Sequence, residues 1–284
     1  MKKHLLITIL LAVSMLTACG STHEMLPEDN PGPATPPAID ITSEAAITEP
    51  KEPEPEDMKD PHWPVAVMYH LIMEEPYSKW DNLFVKPSDF EAHLKKFNEE
   101  GFEFIFADEY KIHDGRSVVL TFDDGYADNY TTMFPILKEN NACATIFLVE
   151  DLIGTNGYMT EDQIREMADS GLVHFGCHTK THREIPELDE ATLVGEFESC
   201  SKKVSDLTGR SCRSFAYPSG KYNAKCEQIT SEHFDFAYTT QGHPPTGWPN
   251  MFEIPRVYAS RGASAEKMLK LVNAMDSKMP VKLR

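Results

Sequence analysis

No Cys-x-x-Cys pair occurs in the 284 residues, and the six cysteines are scattered. That removes a zinc ribbon, a thioredoxin-like redox site and a disulfide scaffold. Runs of Lys or Arg are also lacking. The 27 basic residues face 45 acidic ones, and a formal charge of −18 opposes a phosphate backbone, so nucleic acid is excluded as a partner. Apolar runs are short. The stretch Leu5 to Leu16 has 12 residues, fewer than a bilayer-spanning helix needs. What is present is a 41% apolar composition, enough to bury a sizeable core. With no internal repeat visible, one large domain is favoured over two small ones.

The first residues read as an export signal, because Lys2 and Lys3 precede that apolar stretch. It runs into Leu16-Thr17-Ala18-Cys19-Gly20, which resembles a bacterial lipobox, so 1–19 is read as a lipoprotein signal and Cys19 as the acylated anchor. The other reading is an ordinary signal peptide cut nearby. A multiply acylated cysteine would hold the exported protein at the bacterial membrane surface without a spanning helix. Residues 20–61 change character. From Ser21 to Pro61 there are nine prolines and almost no aromatics, and 11 acids against Lys51 and Lys59 supply half of the whole-chain charge. Such a segment cannot bury a core and self-repels, which predicts a stiffened acidic tether ahead of a folded domain at 62–284.

Within that domain, short β-rich runs are expected at Val65–Tyr69, Val118–Phe122, Ala144–Val149, Val173–Gly176, Ser214–Tyr217, Phe236–Thr240 and Arg256–Ala259. Helical spacing falls between most of them. Ser88 is a candidate cap for a helix through Phe90, Leu94 and Phe97; Thr160 and Gln163 form a capping box for a helix closed by Gly171; Leu193, Phe197, Cys200 and Val204 line another that ends near Gly209. This alternation predicts an α/β fold with mainly parallel strands, either an open doubly wound sheet or a barrel.

Functional groups of such folds gather where strands end. Here one run ends in Asp123-Asp124-Gly125, a second in His178-Thr179-Lys180-Thr181-His182, a third in His70 and a fourth in Pro218-Ser219-Gly220. Two adjacent carboxylates are costly to keep charged unless a cation or a proton separates their roles. His178 and His182 are four apart, the spacing at which one helical turn aims both imidazoles the same way. With one carboxylate they would make a two-His, one-Asp set for a divalent ion, leaving the other Asp as a base.

Together Thr121-Phe122-Asp123-Asp124-Gly125, Gly176-Cys177-His178-Thr179-Lys180-Thr181-His182 and Phe215-Ala216-Tyr217-Pro218-Ser219-Gly220 resemble the first three motifs of the polysaccharide deacetylases, carbohydrate esterase family 4 with the NodB-homology domain. The resemblance covers roughly Pro64 to Ser260. It implies a distorted (β/α) barrel and metal-dependent removal of acetyl groups from N-acetylglucosamine polymers, with zinc, cobalt, nickel or iron as the ion. It casts Asp123 as the base, Asp124, His178 and His182 as metal ligands, and Tyr217 and Ser219 as substrate or oxyanion residues.

Two departures matter. Ala216 stands where the family's third motif carries arginine, and no histidine follows His243 to serve as the family's late general acid. Val67-Met68-Tyr69-His70 is similar to the poly-β-1,6-N-acetylglucosamine deacetylase subgroup, whose motif order is permuted; His70 is then the expected acid and Arg256 the expected partner of Asp123, with a purely structural ion pair as the other reading of Arg256. Trp248 is a candidate sugar platform, although a loop tryptophan beside proline packs on its own loop about as often. Three functions stay open: an N-deacetylase of a cell-surface polymer, an O-acetyl esterase on xylan or another acetylated sugar, and a non-catalytic carbohydrate-binding protein on the same fold. A monomer that meets polysaccharide and, through its lipid, the membrane is expected.

Overall fold

The structure, a computed structural model, describes residues 57–75, 82–279 and 281. The predicted signal, Cys19 and most of the predicted tether lie outside them. Seven parallel strands form the frame: β1 (Val65–Tyr69), β2 (Ser117–Asp124), β3 (Ala144–Leu148), β4 (Val173–Cys177), β5 (Ser214–Ala216), β6 (Phe236–Tyr238) and β7 (Arg256–Tyr258). They pair in the order β6-β5-β4-β3-β2-β1-β7. A parallel bridge between Tyr238 and Ile254, with Thr239 N–H donating to Ile254 C=O at 2.9 Å, joins the two ends into a nearly closed barrel. The expectation of a (β/α) barrel rather than an open sheet is met.

Each predicted strand is present: four are trimmed at their C-terminal ends, β1 has the expected bounds and β4 gains Cys177. β2 gains most, because it starts at Ser117 and runs on through Asp123 and Asp124, and all eight of its residues are buried. A further short strand, Glu103–Ile105, lies parallel to its first half. Among the described residues five α-helices lie between strands, α1 (Pro87–Glu99), α2 (Phe134–Glu139), α3 (Glu161–Asp169), α4 (Glu190–Thr208) and α5 (Ala224–His233), and α6 (Ala265–Asp276) follows β7. Among the described residues no helix is long and apolar enough to cross a membrane. The Thr160–Gln163 capping box forms on α3, and Gly209 ends α4 in the left-handed conformation. Ser88 is not a cap. Pro87 opens α1, with Lys86 at the N-cap, since proline's fixed φ and missing N–H suit the first helical position.

The boundary of the tether also moves. Pro61–His62 pairs antiparallel with His113–Asp114, and the Asp114 carboxylate accepts from the N–H groups of Lys59 at 3.0 Å and Asp60 at 2.8 Å. Residues 59–61, expected to belong to the tether, are therefore part of the domain. Proline does not prevent this, because it sits at the start of a short edge strand.

Candidate active site

Along β2 the side chains alternate, so Thr121 and Asp123 share the barrel interior. Arg256, the first residue of β7, meets them there. Its Nη1 and Nη2 donate to the two Asp123 oxygens at 2.7 and 2.8 Å, Nη1 reaches Thr121 Oγ1 at 3.2 Å, and Nε donates to Thr239 C=O at 2.8 Å. The guanidinium is wholly buried, and Asp123 is 2% exposed. Burial alone would raise the Asp123 carboxyl, but the Arg256 charge, helped by His178 and the Arg256 hydrogen bonds, holds it far below the usual carboxylate range. Asp123 is thus an ionised acceptor, and Arg256 is its fixed partner.

Asp124 would face the opposite side if the strand continued regularly. Instead its φ is 74°, in the left-handed region, and this turn carries the second carboxylate onto the rim. Gly125 must follow, because a Cβ there would lie 2.7 Å from Leu148 Cδ2 and φ is 81°. Adjacent acids thereby serve one site from two directions.

His178 leaves the end of β4 and is buried; its Nδ1 lies 2.7 Å from Ala216 C=O. A carbonyl only accepts, so Nδ1 carries the proton and Nε2 presents its lone pair. Burial lowers the affinity of this ring for a second proton, against the pull of Asp123 and Asp124. His178 Nε2 and His182 Nε2 lie 3.6 and 3.3 Å from Asp124 Oδ1. The two rings do not sit on a helical turn, as their spacing suggested. Residues 178–184 form a loop with Thr179 at φ 67° and His182 at φ 58°, and the His182 N–H donates to Thr179 Oγ1 at 2.9 Å. Glu196, buried on α4, fixes this loop by accepting from Thr181 N–H at 2.8 Å and Thr181 Oγ1 at 2.7 Å.

The donor atoms of Asp124, His178 and His182 all fall within 4.8 Å of one another. Asp124 Oδ1 is buried without a hydrogen-bond partner, an arrangement that a bound cation relieves. A hard oxygen with two imidazole nitrogens fits a divalent ion, with open positions left over.

His70 follows β1, and its Nε2 stands 3.9 Å from Asp123 Oδ2. Two residues that the sequence reading overlooked hold its segment. Asn129, wholly buried at the start of a π-helical turn (Asn129–Met133), donates from Nδ2 to His70 C=O at 2.9 Å, and the Asp128 carboxylate accepts from Ile72 N–H. Burial pushes the Asp128 carboxyl up to about 7. Ser219 reaches the same pocket with φ 55°.

Two expected contacts fail. The Tyr217 side chain is fully buried; its hydroxyl donates to Phe252 C=O at 3.0 Å and its own N–H donates to Tyr238 C=O, so neither group faces the pocket. Trp248 lies at the other end of the barrel, edge-on to Trp63 at 6.0 Å and to Tyr110 at 6.3 Å. Trp63 precedes β1, so this cluster plugs the N-terminal end, and Trp248 is a packing residue. Among the described residues all five cysteines are free thiols, and Cys177, beside a candidate ligand, is a buried core residue.

A (β/α) barrel whose C-terminal rim pairs an ionised acceptor and an imidazole with a cation cradle has the site of a hydrolase. Residues 111–234 match the family model for polysaccharide deacetylase. The Bacillus subtilis (strain 168) protein YxkH is 28% identical over 217 residues, covering 74% of this chain and 76% of its own. A Staphylococcus aureus poly-β-1,6-N-acetyl-D-glucosamine N-deacetylase is 24% identical over 202 residues, covering 64% of this chain and 70% of its own. Among solved structures, Streptococcus pyogenes deacetylase PplD in complex with acetate superposes with a TM-score of 0.69 at 25% identity, covering 75% of this chain and 99% of that one. The chain thus carries a polysaccharide deacetylase domain and is a deacetylase.

Proposed function

We propose that the domain removes N-acetyl groups from a cell-surface N-acetylglucosamine polymer, poly-β-1,6-GlcNAc exopolysaccharide or peptidoglycan, acting as a monomer with one divalent ion in the Asp124, His178, His182 set. The observation that carries this reading is His70 opposite Asp123 across 3.9 Å, beside the cradle. An amide needs both a proton acceptor for the attacking water and a proton donor for the departing amine, whereas an ester needs the donor less. The similarity to the Staphylococcus aureus enzyme favours the β-1,6-linked polymer over peptidoglycan.

Asp124, His178 and His182 would hold the ion, which would make water at the site more acidic. Asp123 Oδ2 takes a proton from the attacking water, and Arg256 keeps the carboxylate ionised and aimed. Ser219, on its left-handed turn, lines the place where negative charge develops on the acetyl oxygen. His70 Nε2 gives a proton to the leaving amine.

Released acetate should be measured on β-1,6- and β-1,4-linked GlcNAc oligomers with and without a chelator. Release is expected only without chelator and to return on adding a divalent ion. Asp124→Ala, His178→Ala and His182→Ala should each lose the ion, while Asp123→Asn keeps it and is inactive. Chelator-resistant release would sink the metal assignment, and turnover of acetylated xylan alone would make the enzyme an O-acetyl esterase.

The proposal extends to location: an exported protein tethered through acylated Cys19. Cys19→Ala is expected to move the protein from the membrane fraction to the soluble one with unchanged activity on soluble oligomers. Retention of the variant on membranes would remove the anchor.

A further inference from the structure

The rim pocket has a catalytic floor and an apolar wall that the chemistry does not use. On the floor are Asp123, Asp124, His70, His178 and His182, whereas Tyr126, Tyr158 and Leu152 rise on one side. Tyr126 comes directly after the Asp124–Gly125 turn, and Tyr158 belongs to the loop that follows β3. Thirty-two positions apart in the sequence, these two loops are joined by an antiparallel bridge between the tyrosines. Ala127 N–H donates to Gly157 C=O at 2.9 Å, and Met159 N–H donates to Gly125 C=O at 3.1 Å. The two rings stack with centroids 5.0 Å apart and planes 20° from parallel.

The backbone clasp sets the rings in place before any ligand arrives. Both rings are half-buried, and both line the pocket. Among the described residues no Lys or Arg lines this pocket, so the described wall offers no cation to a carboxylate or phosphate. An aromatic ring instead suits the C–H face of a pyranose, which is apolar on its axial side and carries hydroxyls around its edge.

We propose that the Tyr126–Tyr158 stack is a glycan platform that seats the sugar ring adjoining the one being deacetylated, and so makes the enzyme select an oligomer over a single sugar. This rests on the reading of the domain as a GlcNAc-polymer deacetylase, since it takes the neighbouring ring of such a polymer as its occupant. Tyr126 stands next to a candidate ligand and its side chain interacts with Asp124 directly, whereas Tyr158 is hydrogen-bonded to Tyr126 and not to the cradle, so Tyr158 is the ring to vary and metal content is the control.

The test uses the full chain carrying Asp123→Asn, which binds without turning over, and measures its affinity for a β-1,6-linked GlcNAc trimer and for free GlcNAc by calorimetry. Adding Tyr158→Ala is expected to weaken trimer binding about tenfold and to erase most of the preference for trimer over monomer, whereas Tyr158→Phe keeps both within about twofold. Unchanged melting temperature and metal content would show that the fold and cradle persist. Three outcomes overturn the platform: Tyr158→Ala binding the trimer as tightly as its parent, Tyr158→Phe losing as much as Tyr158→Ala, or the parent binding no trimer. Acetate release by the Asp123 enzyme separates the two readings. Release together with an indifferent Tyr158→Ala removes only the platform, and trimer binding that depends on the ring without any release removes only the deacetylation of that polymer.

Discussion

Arg256→Ala is expected to cost about 3–5 kcal/mol of unfolding free energy and to leave no measurable acetate release. The guanidinium is wholly buried, it makes two hydrogen bonds to Asp123, and it lies 5.8 Å from the centre of the Phe147 ring. Removing it strands a buried carboxylate without its counter-ion, where a charge is poorly solvated. Such an Asp123 would take up a proton and lose its function as acceptor. Replacing both charges, as Asp123→Leu with Arg256→Met, should recover most of the stability but none of the activity. Denaturant unfolding of the single and double variants decides the matter. An Arg256→Ala midpoint equal to that of the wild type would mean that the pair contributes nothing to folding, and normal turnover would end its role in aiming Asp123.

His70→Ala should retain the metal and bind GlcNAc oligomers normally, and lose on the order of 10² to 10⁴ in turnover on them. The reason is the leaving group. Expelling an unprotonated amine is far harder than expelling an aryl alkoxide, so the same variant should lose much less on an activated aryl acetate. Nothing else on the described rim is as well placed: His182 belongs to the cradle, and the His70 segment is fixed from two sides by Asn129 and Asp128. Steady-state rates on the two substrates give the answer. Equal losses would show that His70 supports the site rather than donating a proton.

The strand ends were legible because they concentrate polar residues directly after apolar β-branched runs. Asp123, Asp124, His70, His178 and His182 could be grouped before any fold was known, and Arg256 was found by asking what replaces Ala216. The manner of assembly was less legible. A spacing of four suggested a helix for His178 and His182, but the left-handed turns at Thr179 and His182 have no marker such as glycine, and they survive because Thr179 and Glu196 bind the loop. Glu196 did leave a trace, as a charged residue on the apolar stripe of α4 between Leu193 and Phe197. Trp248 misled because its neighbours, Trp63 and Tyr110, are far away in sequence. Tyr126 and Tyr158 were invisible for the same reason, since two loops must meet before their rings can stack.

The seam at Ile254 and Tyr238 bears on how the protein is made. Asp123 and its arginine are 133 positions apart, and β7 is the last strand of the ring to leave the ribosome. All three candidate cradle residues and Asp123 are synthesised by residue 182, so a nascent chain contains every candidate metal donor well before it contains Arg256, the counter-ion of Asp123. Joining ends so distant carries the loop-entropy penalty that slows barrel topologies, and this pair forms only when that penalty is met. Assembly of the candidate cradle and pairing of the buried carboxylate are therefore separable events in the life of the chain, and Asp123 gains its fixed partner only when the ring has shut.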